Sequence, residues 1–167
     1  QPIDAVAFEL KVAKEIGGRY GVATFGRAVD VRDPSAIQAA ALETRHALPS
    51  IGGFVHAAGI VDTASLDGLT PESFNNGLEI HLRPIAVLAQ APLPDLSANE
   101  GSAIVPSASI NAPLGNAMNP IYSAAKGGVL SLVRSLADRL ARDGIRINAI
   151  SPGQIRTPMM KPALDNL

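Results

Sequence analysis

Helix-type and strand-type patterns alternate along the chain, and this alternation limits the fold more than any other feature. Phe8, Val12 and Ile16 recur at four-residue spacing ahead of Gly17-Gly18, which predicts a helix over residues 5–16. Ala28-Val29-Asp30-Val31 reads as a short strand. Asp33-Pro34 then has the form of an N-cap with proline at the first helical position, and Ile37, Ala41, Thr44 and Leu48 continue as one helix face. Residues 53–57 form a short apolar run with strand character. Thr70-Pro71 opens another helix, with Phe74, Leu78, Leu82 and Ile85 directed inward and Pro84 predicting a kink or an early end. Ala103-Ile104-Val105 is a third strand. Asn119-Pro120 opens a long helix with Val129, Val133, Leu136 and Leu140 buried; Gly144 ends it, and residues 145–150 make a fourth strand. Strands separated by helices imply a parallel sheet, because a parallel crossover needs a long connection. In such sheets ligands bind beyond the carboxyl ends of the strands.

Composition narrows the class of protein. The 167 residues suit one domain. With 47% hydrophobic and 17% charged residues the chain can form a packed core. A net charge of −1 argues against nucleic acid or an acidic membrane as a partner. The absence of cysteine excludes disulfides, thiolate metal sites and a cysteine nucleophile. No apolar run reaches membrane-spanning length. Asp4, Glu9, Lys11, Lys14 and Glu15 interrupt any secretory signal, so a cytoplasmic location is expected.

The chemistry-bearing residues fall at the predicted strand ends. Tyr122 and Lys126 are four apart on a helix, so phenol and ammonium are neighbours. A phenol titrates near 10, and a nearby cation favours the phenolate, so such a pair can serve as a tuned acid/base. Alone, a pair at this spacing is usually a surface contact. Other segments accompany it. Ser107-Ala108-Ser109 follows the third strand, with Ser109 thirteen positions before Tyr122. His56-Ala57-Ala58-Gly59 ends the second strand with small residues, which allow a flat ligand close to the backbone. Asp30 closes the first strand, and Asn148–Gly153 leads from the fourth into Gln154-Ile155-Arg156-Thr157-Pro158. Each has a bland reading when taken singly: loop serines, a turn-capping Asp30, an N-cap at Thr157.

Together these segments resemble the short-chain dehydrogenase/reductase family, from about Ala28 to Met159. The resemblance implies an α/β, Rossmann-type parallel sheet with helices on both faces, in a single incomplete dinucleotide-binding domain over residues 1–167. It implies an NAD(P)-dependent oxidoreductase that interconverts an alcohol and a ketone. Ser109, Tyr122 and Lys126 match the catalytic residues: Tyr122 exchanges a proton with the substrate oxygen, Ser109 holds that oxygen, and Lys126 lowers the Tyr122 pKa and binds the nicotinamide ribose. Ser107 is the expected bystander of the two serines. Asp30 and Val31 match the pair that contacts the adenine. Ala57, Ala58 and Gly59 match the cofactor-lining turn. Pro152, Gly153, Ile155 and Thr157 match the loop around the nicotinamide carboxamide. The implied cofactor is NAD or NADP, the substrate a small-molecule alcohol or ketone, and the assembly a homo-oligomer.

Departures from the family pattern define the alternatives. No Gly-x-x-x-Gly-x-Gly precedes Asp30, and the chain stops soon after Pro158, so the fold is expected to be truncated at both ends relative to the family. The family places two strands between the one ending at Asp30 and the one ending at Ala57. Residues 28–31 are therefore not expected beside residues 53–57, whereas strands near 53–57, 103–107 and 145–150 should share one parallel sheet. His81 aligns with the family's usual Asn of the proton relay; imidazole can also relay protons, and a simple packing role is equally open. His56-Ala57-Ala58-Gly59 resembles polyketide-synthase ketoreductase domains. The alternatives are thus such a ketoreductase domain, or a non-catalytic fragment or degenerate homologue acting through protein contacts.

Overall fold

The structure, a computed structural model, describes residues 5–60 and 64–157. Its sheet has three parallel strands in the order β1 (Gly53–His56), β2 (Ala103–Pro106), β3 (Arg146–Ile147). Gly53 to His56 pair in register with Ala103 to Pro106, and Ala103 and Ile104 pair with Arg146 and Ile147. A single bridge between Ser107 and Ile150 prolongs the last ladder. The three strands expected to share a sheet do so; the fourth expected strand, at residues 145–150, is ladder-paired only over its first part.

Side-chain alternation decides where the core lies. Ile104 and Pro106 of β2 are buried, whereas Ala103 and Val105 are only half-buried. The buried row meets α4 (Arg83–Gln90), α5 (Leu93–Ala98) and α7 (Pro120–Ala141). Ile85, Ala89, Leu96, Val129, Val133 and Leu140 close over Ile104, Ala108, Ile145 and Ile147. Each large side chain so buried contributes roughly 1.5–3 kcal/mol. On the opposite face Val55 is 65% exposed.

Local chemistry sets the helix ends. Asp33 caps α2 (Pro34–Ala47), its carboxylate accepting from the Ser35 and Ala36 amides. Thr70 and Ser73 form a reciprocal capping box at the start of α3 (Pro71–His81). Pro84 separates α3 from α4 as its ring and missing N–H require, with Leu82 at the junction. Gly77 lets α3 cross close to α7, since a Cβ there would lie 2.6 Å from Ile121 Cγ2. Gly144, at φ +73, turns the chain after α7 into β3.

The amino-terminal segment departs from expectation. α1 (Ala5–Tyr20) runs through Gly17-Gly18 and stops at Gly21, at φ +64. A helical glycine costs only about 1 kcal/mol, so the positive-φ residue terminates the helix instead. Residues 28–31 form no strand: β propensity cannot replace a hydrogen-bonded neighbour, and β1 does not pair with them. Val29 and Val31 instead face Ile37, Ile51, Gly53, Phe54 and Leu88 across an apolar groove of about 290 Å³. Phe74, expected inside, is 42% exposed because the buried face of α3 is Gly77, Ile80 and His81. A short 3-10 helix at Leu66–Gly68 and the short helices α5 and α6 (Asn111–Leu114) complete the described elements.

Candidate active site

Lys126 organises the carboxyl end of the sheet. It stands on the second turn of α7 and is 4% exposed. Its Nζ donates to the Ser107 carbonyl at 2.6 Å, just beyond the end of β2. The same Nζ lies 5.6 Å from the centroid of the Tyr122 ring, within cation–π range. Burial lowers the Lys126 pKa to about 8, because a desolvated ammonium is disfavoured. Three ammonium hydrogens minus one used on Ser107 leave two donors for another partner.

Ser109 follows two residues later and is 7% exposed. Its Oγ accepts the Asn111 amide at 3.1 Å. With a lone pair so occupied, the hydroxyl hydrogen is left to point elsewhere. Backbone bonds fix this turn against the end of β3: Ala108 N–H donates to Ile150 O at 2.7 Å, and Ile110 N–H to Pro152 O at 3.0 Å. Thus the Ser109 turn and the Pro152-Gly153 loop are tied together, although they are distant in sequence. Gly153, Ile155 and Thr157 continue this loop and are exposed. Pro158 and Met159, where the sequence resemblance ends, lie outside the described residues.

His81 forms the other wall of Tyr122. The rings meet edge to face, 5.2 Å between centroids and 89° between planes. His81 is 1% exposed, and its Nε2 donates to Ile60 O at 2.9 Å. Desolvation, helped by the Lys126 charge, lowers its pKa to about 4, so the ring is neutral at pH 7 and Nδ1 carries no hydrogen. Nδ1 is buried and has no hydrogen-bond partner. Gly59 has a role here that its sequence context did not suggest: a Cβ would lie 2.8 Å from His81 Cε1. The missing side chain makes room for the imidazole. Ala57 and Ala58 beside it are exposed.

Asp30 stands apart from this cluster and is exposed. Arg32 holds its carboxylate through Nε at 3.0 Å and Nη2 at 2.7 Å, and the Arg32 amide donates at 2.9 Å. These hydrogen bonds lower the Asp30 pKa to about 2. Asp30 therefore closes a turn and not a strand, with Val31 half-buried beside it. The structure brings Ser109, Tyr122, Lys126 and His81 to one end of the sheet. Sequence reasoning missed two contributors. Ser107 acts through its carbonyl, which no side-chain pattern marks. His56, noted only as a motif variant, is 3% exposed and donates from Nε2 to Ile80 O at 3.1 Å.

Comparison with known proteins identifies the family. A family model described as enoyl-(acyl carrier protein) reductase matches residues 4–166. The chain belongs to the short-chain dehydrogenase/reductase family. A probable galactose dehydrogenase of Rhizobium meliloti is 35% identical over 153 residues, covering 92% of this chain and 60% of that protein. The inactive 2-(S)-hydroxypropyl-CoM dehydrogenase 2 of Xanthobacter autotrophicus is 30% identical, covering 89% of this chain and 64% of its own. The crystal structure of L-sorbose reductase from Gluconobacter frateurii, complexed with NADPH and L-sorbose, superposes with a TM-score of 0.90 at 28% identity. It covers 96% of this chain and 62% of that one. The chain thus spans about three-fifths of the length of these relatives.

Proposed function

We propose that this chain carries the catalytic half of an NAD(P)-dependent oxidoreductase acting on a small alcohol or ketone. The observation that carries the reading is the position of Lys126 Nζ, held by the Ser107 carbonyl at the end of β2 while facing the Tyr122 ring. The residues present suit the cofactor: two free ammonium donors for a ribose diol, the exposed small turn at Ala57-Ala58, and the loop at Pro152, Gly153, Ile155 and Thr157. Asp30 and Val31 would meet the adenine. A bound nicotinamide supplies or accepts the hydride.

The chain's own residues then handle the proton. In the reducing direction the Tyr122 hydroxyl donates its proton to the carbonyl oxygen as that oxygen gains charge. The Ser109 hydroxyl, whose Oγ already accepts from Asn111, donates a hydrogen bond to the same oxygen. The Lys126 charge stabilises the phenolate that remains. In the oxidising direction Tyr122 takes the proton back. The domain over residues 1–167 is read as one incomplete dinucleotide-binding unit, cytoplasmic and homo-oligomeric.

Titration with NADH and NADPH, followed by turnover of a panel of ketones, tests the proposal on the complete gene product. Binding of either nucleotide together with turnover supports it. A non-catalytic role is the second reading, favoured by the relative described as inactive. Absence of any nucleotide binding would establish that reading in its place.

A further inference from the structure

Two buried histidines exchange hydrogen bonds between α3 and the segment formed by the end of β1 and the turn after it. His56, at the end of β1, donates to the carbonyl of Ile80 in α3. His81, at the end of α3, donates back to the carbonyl of Ile60, four residues beyond β1. A carbonyl only accepts, so both rings must present Nε2–H. Both rings are almost completely buried, at 3% and 1% exposure. Gly59 supplies the space for the His81 ring, and Tyr122 meets that ring edge to face.

We propose that His56 and His81 form a reciprocal clasp that locks the turn at residues 57–60 to the end of α3, and that His81 is thereby a positioning residue for Tyr122. The turn and the phenol then share one rigid support, the His81 ring. This inference rests on the oxidoreductase reading only for its kinetic consequence, and the clasp itself is independent of it. Lys126 and Tyr122 of α7 are the titratable groups facing the pair. The ammonium is a reason for both imidazoles to stay neutral, since a second buried cation would be repelled.

Two-bond proton–nitrogen correlation spectra of the chain at pH 7 provide the first test. The sequence holds three histidines, and His46→Asn identifies the exposed one. The expected result is a fixed Nε2–H tautomer for both His56 and His81. A predominant Nδ1–H tautomer, or averaging between tautomers, at either ring overturns the clasp. Substitution provides the second test. His56→Phe should shift the His81 ring-nitrogen resonances, and His56→Gln, which keeps an N–H donor, should shift them less; equal shifts, or none, reject reciprocity. Should the phenylalanine variant fail to fold, the wild-type tautomers still decide. Kinetics of the complete gene product provide the third. His81→Phe retains a ring beside Tyr122 but no donor, and should raise the cofactor KM and lower kcat by about tenfold each, with His81→Gln recovering most of both. Unchanged constants in His81→Phe reject the positioning role. A wild-type protein that binds neither nucleotide removes the oxidoreductase reading, while the ring tautomers still decide the clasp.

Discussion

The segment from β2 to β3 and the segment from residue 11 to residue 31 are both rich in apolar residues, yet they end in opposite conditions. In the first, Ser102, Ile104, Pro106, Ala108 and Ser109 are buried in succession, and two parallel neighbours satisfy the backbone of β2. In the second, no residue is buried, and Ile16, Tyr20, Val22 and Phe25 are exposed. The difference is one of partners and not of composition. β2 has a strand on either side and a helical layer above it. Residues 28–31 have strand propensity without a strand to meet. Site candidates follow the same division: Ser109, Tyr122 and Lys126 stand in the closed region, with His81 of α3 against Tyr122, and Asp30, the adenine-contact candidate, stands in the open one.

The largest effect should come from the closed region's chemistry. In the complete gene product, Tyr122→Phe should reduce kcat by about 10²–10⁴-fold and leave nucleotide affinity within about twofold, because the ring stays and only the proton donor goes. Lys126→Ala should weaken both turnover and nucleotide binding. Steady-state kinetics with a nucleotide titration measure the two. Full activity in Tyr122→Phe would remove the mechanism.

Stability should divide along the same line. Ile104, with no exposed surface, belongs to the same core cluster as Val129 and Ile147. Ile104→Ala should cost about 2–5 kcal/mol in urea unfolding. Ile16 is 44% exposed, and Ile16→Ala should stay within about 0.5 kcal/mol. Comparable losses at both sites would mean that α1 is packed as tightly as the sheet, and the contrast between the regions would fall.

The acid side of the stability curve sharpens the comparison further. The His81 pKa falls from 6.5 to about 4 in the folded state. Between these values the unfolded chain binds a proton that the folded chain refuses, so stability rises with pH across that window. Below about pH 4 both states are protonated and the full cost applies, on the order of 3 kcal/mol. Lys126 acts with the same sign at higher pH. Its folded pKa of about 8 lies below the ordinary 10.5, so stability also rises from about pH 8 to 10.5. Unfolding measured from pH 4 to 7 should show the acid slope in the wild type and a flatter one in His81→Asn. Identical slopes would show that His81 is not the group responsible.

Much of the fold was legible because its causes are local. Asp33 and Thr70 cap helices by their own side chains, Pro84 splits a helix by its own ring, and Val129, Val133 and Leu140 repeat at helical spacing. The nearness of Tyr122 and Lys126 was legible from their four-residue spacing on one helix. What escaped depends on backbone acceptors and absent neighbours. The Ser107 carbonyl under Lys126 and the Ile60 and Ile80 carbonyls under the two histidines have no side-chain signature. The failure of residues 28–31 to form a strand is a property of what lies beside them. The contact of Gly59 with the His81 imidazole likewise has no local signature.

Asp30 should give the smallest effect, and it tests whether the open region takes part in function at all. Its carboxylate is exposed and held by Arg32 through two side-chain nitrogens and one amide. An exposed pair of this kind contributes little to stability, so Asp30→Ala should leave the unfolding midpoint unchanged. The Arg32 Nε–H is shared between both carboxylate oxygens, so three Arg32 donors make four contacts to the Asp30 carboxylate. A donor such as an adenine amino group would share one of these exposed oxygens with Arg32. Loss of a single hydrogen bond corresponds to about a three- to tenfold rise in Kd. In the complete gene product, Asp30→Ala should therefore weaken NADH or NADPH binding by that factor while kcat at saturating nucleotide stays the same. Fluorescence titration of the nucleotide measures the first and initial rates the second. An unchanged Kd would confine the function of Asp30 to its turn with Arg32, and the contrast between the two regions would then extend from packing to binding.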